Sequence, residues 1–367
     1  LFISCGGGGG GGGGGSSSSG SSSSTPTFTI TTIDSTGDVG WYSSIAVGSV
    51  HIAYYDATNG NLKYAYNNGS SWDTPVTIDG NDTDNLGWDT SIALDSNDYA
   101  HISYYDNNSS KGNLKYIHYN GTSWSTPVIL DGDNTNTVGW NSSMILDASD
   151  RIYISYYDAS TGQQNLKYIH YDGVSWSVPE TIDGDATDDV GEYSSIALDS
   201  SNRAHISYYD ADNGNLKYIY YNGTSWSVPE IIDGDVTDDV GQYNSMAMDS
   251  SDHPHVSYFD AINGNLMYAH YTGTTWSIEL IDGTDADFIG WNTSLALDTN
   301  DKVHISYYDA TNGYLKYATN ASGSWVITTV DSSSDVGEFS SIAVGSDGKI
   351  HISYYDNING NLKYAVK

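Results

Sequence analysis

The chain predicts an all-β fold, a seven-bladed β-propeller of four-stranded blades, and three observations carry that prediction. A Gly that follows an acidic stretch recurs at Gly40, Gly87, Gly139, Gly191, Gly241, Gly290 and Gly337, at steps of 47, 52, 52, 50, 49 and 47 residues. Each unit holds four short apolar segments bounded by Asn, Asp and Gly, with no helical period. The seventh unit stops after its third segment, and a matching fourth segment lies at the other end of the chain: Thr29-Ile-Thr-Thr-Ile-Asp34 matches Val326-Ile-Thr-Thr-Val-Asp331. Four strands in a unit of this length is the pattern of a propeller blade. The N-terminal strand is expected to close the last blade, leaving no open sheet edge in the ring.

Taken in chain order, residues 1–26 are expected to lie outside that fold. Leu1-Phe-Ile-Ser-Cys5 resembles the end of a bacterial lipoprotein signal, which is cut before a Cys that then takes lipid, and Leu1 stands four places before Cys5. Gly6–Gly15 and the Ser/Gly tract after it form a flexible coil, and about twenty such residues reach roughly 25 Å. The resemblance implies an extracytoplasmic protein of the bacterial cell envelope, lipidated at Cys5, whose only membrane contact is the anchor.

The propeller is expected over residues 27–367. In the fourth unit the first strand is read at Ser194–Leu198 and the second at His205–Asp210. An Asn213-Gly214 turn leads to a third strand at Leu216–Tyr220, and a fourth runs from Trp226 to Asp233. The β-branched residues and tyrosines are expected to pack between blades.

Composition narrows the function. The 367 residues carry 12 Lys+Arg against 46 Asp+Glu, a net charge of -34. Phosphate contacts would be repulsive, so nucleic acid and anionic lipid are excluded as partners. One cysteine excludes a disulfide framework and a Cys-based zinc site. No run of 18 apolar residues exists to span a membrane.

Four repeated features bear on chemistry. His51, His101, His205, His255, His304 and His351 share one position, filled by Tyr153 in the third unit. Six equivalent copies point to a structural hydrogen bond, since one active site needs one base. Asp56 and Lys63, with their copies, share a hairpin face at salt-bridge distance. The Gly-x-x-Trp turn, as in Gly223–Trp226, is similar to the Asp-box turn of sialidase-like propellers, although its Asn or Asp directly precedes the Gly; its indole is expected to cap the outer strand. The acidic loops place Asp183, Asp185, Asp188 and Asp189 in one unit and Asp233, Asp235, Asp238 and Asp239 in the next. Clustered carboxylates suit a hard cation such as calcium, and they equally suit a solvated loop.

The residue after the repeat Gly varies most in chemistry: Trp41, Trp88, Trp140, Glu192, Gln242, Trp291 and Glu338. The loop into the first strand and the second-to-third hairpin open on one face of a propeller, so these seven are expected at the mouth of the central funnel. Indoles interleaved with carboxylates and amides suit carbohydrate, whose C–H faces stack on Trp while polar side chains hold its hydroxyls. The same indoles would also serve to plug the funnel.

The run of apolar strand, Tyr-Tyr-Asp, Asn-Gly-Asn-Leu, Tyr-rich strand and Gly-x-x-Trp resembles the blades of β-propeller lectins. Those lectins bind sugar between blades through an Arg and a Glu with aromatic residues. With arginine only at Arg151 and Arg203, that contact cannot repeat around the ring. What the resemblance implies is therefore the fold and a general carbohydrate-binding tendency. The same scarcity argues against a sialidase, whose resemblance requires three arginines. The expected function is a non-enzymatic binding propeller for a glycan or another surface polymer. The alternatives are a protein-interaction propeller in a surface complex and a glycosidase or lyase, which needs two unlike carboxylates at one site.

Overall fold

The computed structural model describes residues 27–81, 85–107, 112–132, 136–185, 187–235, 237–284 and 287–367. Cys5 and the remainder of 1–26 lie outside the described residues. Everything described is strand and turn, arranged as seven four-stranded antiparallel sheets. The first blade comprises Val39–Val47, Val50–Asp56, Asn61–Asn67 and Val76–Asp79. Its copies follow in order. The seventh takes Val336–Val344, Ile350–Asp356 and Asn361–Val366 from the C-terminus and Thr29–Asp34 from the N-terminus. Thr29 pairs with Val366 and Thr32 with Lys363, so the expected closure is present.

The first strands touch their neighbours in an unbroken ring around the axis. The second strands are buried along their whole length, save Ala159 in blade three, because blades cover both of their faces, as at Ala204–Asp210. The core consequently lies between blades rather than within them. Tyr153, Leu166 and Tyr168 of blade three pack with Val190, Ile206 and Tyr208 of blade four, and Val39, Ile52 and Tyr54 of blade one pack with Leu362 and Tyr364 of blade seven.

Polar contacts repeat the same inter-blade logic. Tyr208 donates to Asp183 at 2.6 Å and Lys217 reaches the same oxygen at 3.0 Å, while Tyr54 and Lys63 hold Asp34 at 2.7 and 2.5 Å. The expected Lys–Asp pair within each hairpin exists, but at 3.9 Å for Lys63–Asp56 and 3.3 Å for Lys217–Asp210. The tighter partner in these blades is the Asp that ends the fourth strand of the preceding blade. The lysine therefore pins two blades together more than it staples its own hairpin. Met267 leaves Asp233 with the Tyr258 hydroxyl at 2.6 Å and no lysine.

The histidines have a packing role. His51, His101, His205, His255, His304 and His351 each pair Nδ1 with the hydroxyl of a third-strand tyrosine at 2.5–2.6 Å. Those tyrosines in turn receive the turn tryptophans of the next blade edge-on: Trp124 on Tyr64, Trp176 on Tyr116 and Trp276 on Tyr218, at 4.8–5.4 Å. In the seventh interface Phe28 of the closing segment takes that place on Tyr317, at 5.3 Å.

Candidate functional site

The repeat Gly has a steric cause. A Cβ at Gly40, Gly87, Gly139, Gly191, Gly241, Gly290 or Gly337 would lie 2.6–2.9 Å from the Cα of a Leu in the preceding blade, and each of these glycines has φ between 103° and 116°. Only a residue without a side chain permits that approach. Two positions later the backbone turns left-handed again, now without Gly: Tyr42, Asp89, Asn141, Tyr193, Tyr243, Asn292 and Phe339 have φ of 47–53°. A non-Gly residue in this region costs about 1 kcal/mol or more. The pairing register shifts on both sides of the rim residue in every blade, as at Val190/Glu192 and Glu192/Ser195. In five of the seven blades these bulges bring two successive side chains of the first strand to one axial cavity.

The result is two stacked rings. Trp88, Trp140, Glu192, Trp291 and Glu338 line a funnel of about 440 Å³, together with the left-handed ring beneath them. That second ring also lines a narrower channel of about 240 Å³, whose walls are Ser, Thr and Asn side chains. The left-handed ring is thus the waist between funnel and channel. Below it, the hydroxyls of Ser44, Ser91, Ser143, Ser195, Ser245, Ser294 and Ser341 each accept a backbone N–H from the next blade at 2.9–3.2 Å, which ties the channel wall into a closed hoop.

The structure brings five of the seven expected rim residues to one cavity. Trp41 and Gln242 do not line it. Their side-chain N–H groups turn back to Asp38 and Asp239, both at 3.0 Å. The sequence reading missed the waist ring. Its signal was present, since the position beside the rim residue also varies and carries Asp or Asn, residues tolerant of a left-handed backbone, in three of seven copies.

The rim indoles are not equivalent. Trp41 stacks on Phe339 at 5.9 Å, Trp88 on Tyr42 at 5.5 Å and Trp291 on Tyr243 at 6.0 Å, each within 28° of parallel. In each case the partner belongs to the waist ring of the preceding blade. For Trp140 that place is held by Asp89, so no waist-ring aromatic stacks on its face, and the residue is 38% exposed. It meets Tyr105 in a T-shaped contact, with ring centroids 5.8 Å apart.

The funnel's charge is all of one sign. Among its described lining residues are Asp89, Glu192 and Glu338 and no Lys, Arg or His. Asp89 accepts the Asn141 N–H at 3.0 Å, yet burial pushes its carboxyl up to about 6. Burial, with Asp189 and Asp335 nearby, also raises the carboxyls of Glu192 and Glu338 respectively. Both arginines are engaged away from the funnel, Arg151 with Asp147 and Arg203 with Asp199, at 2.5 Å.

The acidic loops do not converge. Asp183 and Asp233 are the inter-blade pins already described. Asp185 and Asp235 cap Thr187 and Thr237 through hydroxyl and backbone, at 2.7–2.8 Å. Asp189 accepts from Tyr157 and Gln164 at 2.6 Å, and Asp239 from Tyr209 at 2.7 Å. Asp238 accepts the Asp235 N–H at 3.0 Å, and Asp188 lies beside Asp189 in the same turn. Among the described residues no group of three or more His, Cys, Asp or Glu is arranged to hold a metal ion.

A second cavity of about 390 Å³ lies between blades one and two, lined by His51, Tyr64, Tyr66, Asp98, Tyr99 and Trp124 among others. Its imidazole and indole belong to the repeated inter-blade packing, at the end of the blades away from the funnel mouth.

The chain matches no protein-family model and no curated protein sequence. Solved structures do share its fold. An ulvan lyase superposes with a TM-score of 0.62 at 11% identity, over 89% of this chain and 94% of that one. A lectin from Burkholderia pseudomallei gives 0.58 at 12%, over 89% and 95%. The Aleuria aurantia lectin, in complex with Fucalpha1-6GlcNAc, gives 0.51 at 16%, over 81% and 98%. At these identities the likeness establishes the seven-bladed propeller architecture and nothing finer.

Proposed function

We propose that this protein is a non-enzymatic binding propeller that takes carbohydrate, or another hydroxyl-rich surface polymer, in the funnel at one face. The observation that carries this reading is the funnel itself, a cavity of about 440 Å³ whose wall mixes indoles with carboxylate and amide side chains. An apolar pocket with a few convergent polar groups is the usual form of a small-ligand site. Lectins among the structural neighbours, one with a bound fucosyl sugar, agree with it at the level of fold. We further propose that Cys5 carries a lipid and that 6–26 tether the propeller outside a bacterial membrane, where surface glycans are within reach.

A specific observation favours a second reading. Asp89, Glu192 and Glu338 face one cavity with raised proton affinity, the kind of carboxylate set a glycosidase uses as acid and base, and an ulvan lyase shares the fold. A glycan array with the purified protein tests the first reading, and reducing-end release from the bound polysaccharides tests the second. Binding without new reducing ends supports a binding module. Turnover abolished by Asp89→Asn or Glu192→Gln moves the protein to the enzymes. No binding to any glycan removes the carbohydrate reading.

A further inference from the structure

We propose that the funnel holds one principal sugar subsite rather than seven, on the uncovered face of Trp140 above Asp89, and that it takes a sugar bearing a free ammonium group. This rests on the funnel being the binding site.

The case for a single subsite is geometric. Sugar stacking needs an accessible aromatic face, and three of the four rim indoles have one face taken by a waist-ring aromatic of the preceding blade. Only at the junction of blades two and three does a short carboxylate replace that aromatic. The exchange opens the Trp140 face and sets a charge beside it in one step, because Asp89 bonds the backbone N–H of Asn141, the residue directly after Trp140. Glu192, from the next blade, lines the same cavity. A ring built by repetition has thus lost its symmetry at one place, and there it offers platform and polar group together.

The ligand class follows from charge. Uronates, sulfated sugars and sialic acids would bring a further negative charge into a cavity whose described lining residues carry three carboxylates and no base. A neutral sugar would leave those carboxylates as they are. An ammonium group would give Asp89 a counter-ion inside a partly dehydrated site, where an opposite charge within 4–6 Å has its largest effect. The proton affinities of Asp89 and Glu192, already raised by burial, are the cost that such a counter-ion would relieve.

The test compares short oligosaccharides of β-1,4-glucosamine, their N-acetylated counterparts and oligogalacturonate, titrated by calorimetry against the full chain. The free-amine oligomer is expected to bind one per chain and at least tenfold more tightly than the acetylated one, with no binding of galacturonate. Two variants keep the fold by precedent within the ring: Asp89→Asn, since Asn141 and Asn292 fill the same left-handed position, and Trp140→Gln, since Gln242 fills the same rim position. Each is expected to weaken the amine ligand at least tenfold with an unchanged melting temperature. Equal affinity for amine and acetylated oligomers overturns the ligand class. Amine binding that survives both substitutions and vanishes with salt is general attraction to an acidic protein, and overturns the subsite. If instead the array finds a neutral glycan that Trp140→Gln abolishes, the ammonium claim fails while the funnel stands. A glycan bound regardless of Trp88, Trp140 and Trp291 substitutions removes the funnel reading itself.

Discussion

Two sets of tryptophan occupy the two ends of the blades, and they behave differently. The turn set (Trp72, Trp124, Trp176, Trp226, Trp276 and Trp325) repeats one geometry: each indole meets a tyrosine of the preceding blade at 4.8–5.4 Å and 69–75°. The rim set repeats in position alone. Its neighbours change from blade to blade, its side chain becomes Glu or Gln in three copies, and one indole stands open. In a structure made of near-identical units, a contact that recurs in every interface is explained by closure of the ring. A position where the contact breaks is free to serve something outside the fold.

The largest expected effect tests the closure end of that comparison. A chain beginning at Gly37 lacks the fourth strand of blade seven and Phe28, so Tyr317 and the edge at Asn361–Val366 are left uncovered. It is expected to aggregate or to lose cooperative unfolding, whereas a chain beginning at Ser24 melts like the full one. Equal melting of all three chains would show that the ring does not need its seal.

Next in size is the indole comparison itself. Trp226→Ala removes a half-buried wedge from the interface of blades three and four and is expected to cost about 2–3 kcal/mol, toward the lower end for such truncations. Trp140→Gln, at an exposed position, is expected to stay within about 0.5 kcal/mol. Paired chemical denaturation curves decide the matter, and a Trp140 variant as damaged as the Trp226 variant would erase the distinction between the two ends.

Much of this was legible in the sequence because repetition multiplies weak signals. One Gly before a variable residue means little, whereas seven at steps of 47–52 residues fix blade number, strand order and the place of the rim. The contribution of Thr29–Asp34 was readable for the same reason. What escaped was everything that depends on which blade lies next to which. Asp183 and Asp233 read as loop acids from spacing, yet serve as inter-blade pins, because Tyr208 and Lys217 reach Asp183, and Tyr258 reaches Asp233, from a blade that begins later in the chain. The waist ring escaped because only the two bulges turn consecutive residues toward the axis, and a strand read with period two sends them to opposite faces. The open face of Trp140 is a statement about Asp89, fifty-one residues earlier, and no local pattern contains it.

Acid should weaken the closure contacts before the rim. Burial lowers the proton affinity of His51, His101, His205, His255, His304 and His351 below the ordinary 6.5, with His101 brought down to about 4. The unfolded chain has no such restraint, so below 6.5 it binds more protons than the folded one. The stability is therefore complete above that pH and is lost as pH falls toward the folded values. Asp89, Glu192 and Glu338 have the opposite sign, being raised, and offset part of the loss. Melting temperature is expected to fall steadily from pH 7 to 4.5. A flat profile over that range would mean that the imidazole–tyrosine pairs accept the proton without strain.

The smallest expected effect concerns calcium at the loops of Asp183–Asp189 and Asp233–Asp239. Four of the eight carboxylates considered there, those of Asp183, Asp189, Asp233 and Asp239, already accept a tyrosine hydroxyl. Two more, Asp185 and Asp235, are turned onto the threonine two places ahead. A cation that needs six to eight oxygens would have to take these apart before it gained them. Melting in calcium is accordingly expected to match melting in magnesium, and in sodium chloride of equal ionic strength, with EDTA making no difference beyond screening. A calcium-specific rise of several degrees, saturating with concentration, would show by mass action that the loops rearrange around the ion. In that case the acidic face, and not the rim alone, would be where the repeat has been adapted to a ligand. The first substitution to make would then be Asp235→Asn, which alters a loop carboxylate and leaves every inter-blade pin in place.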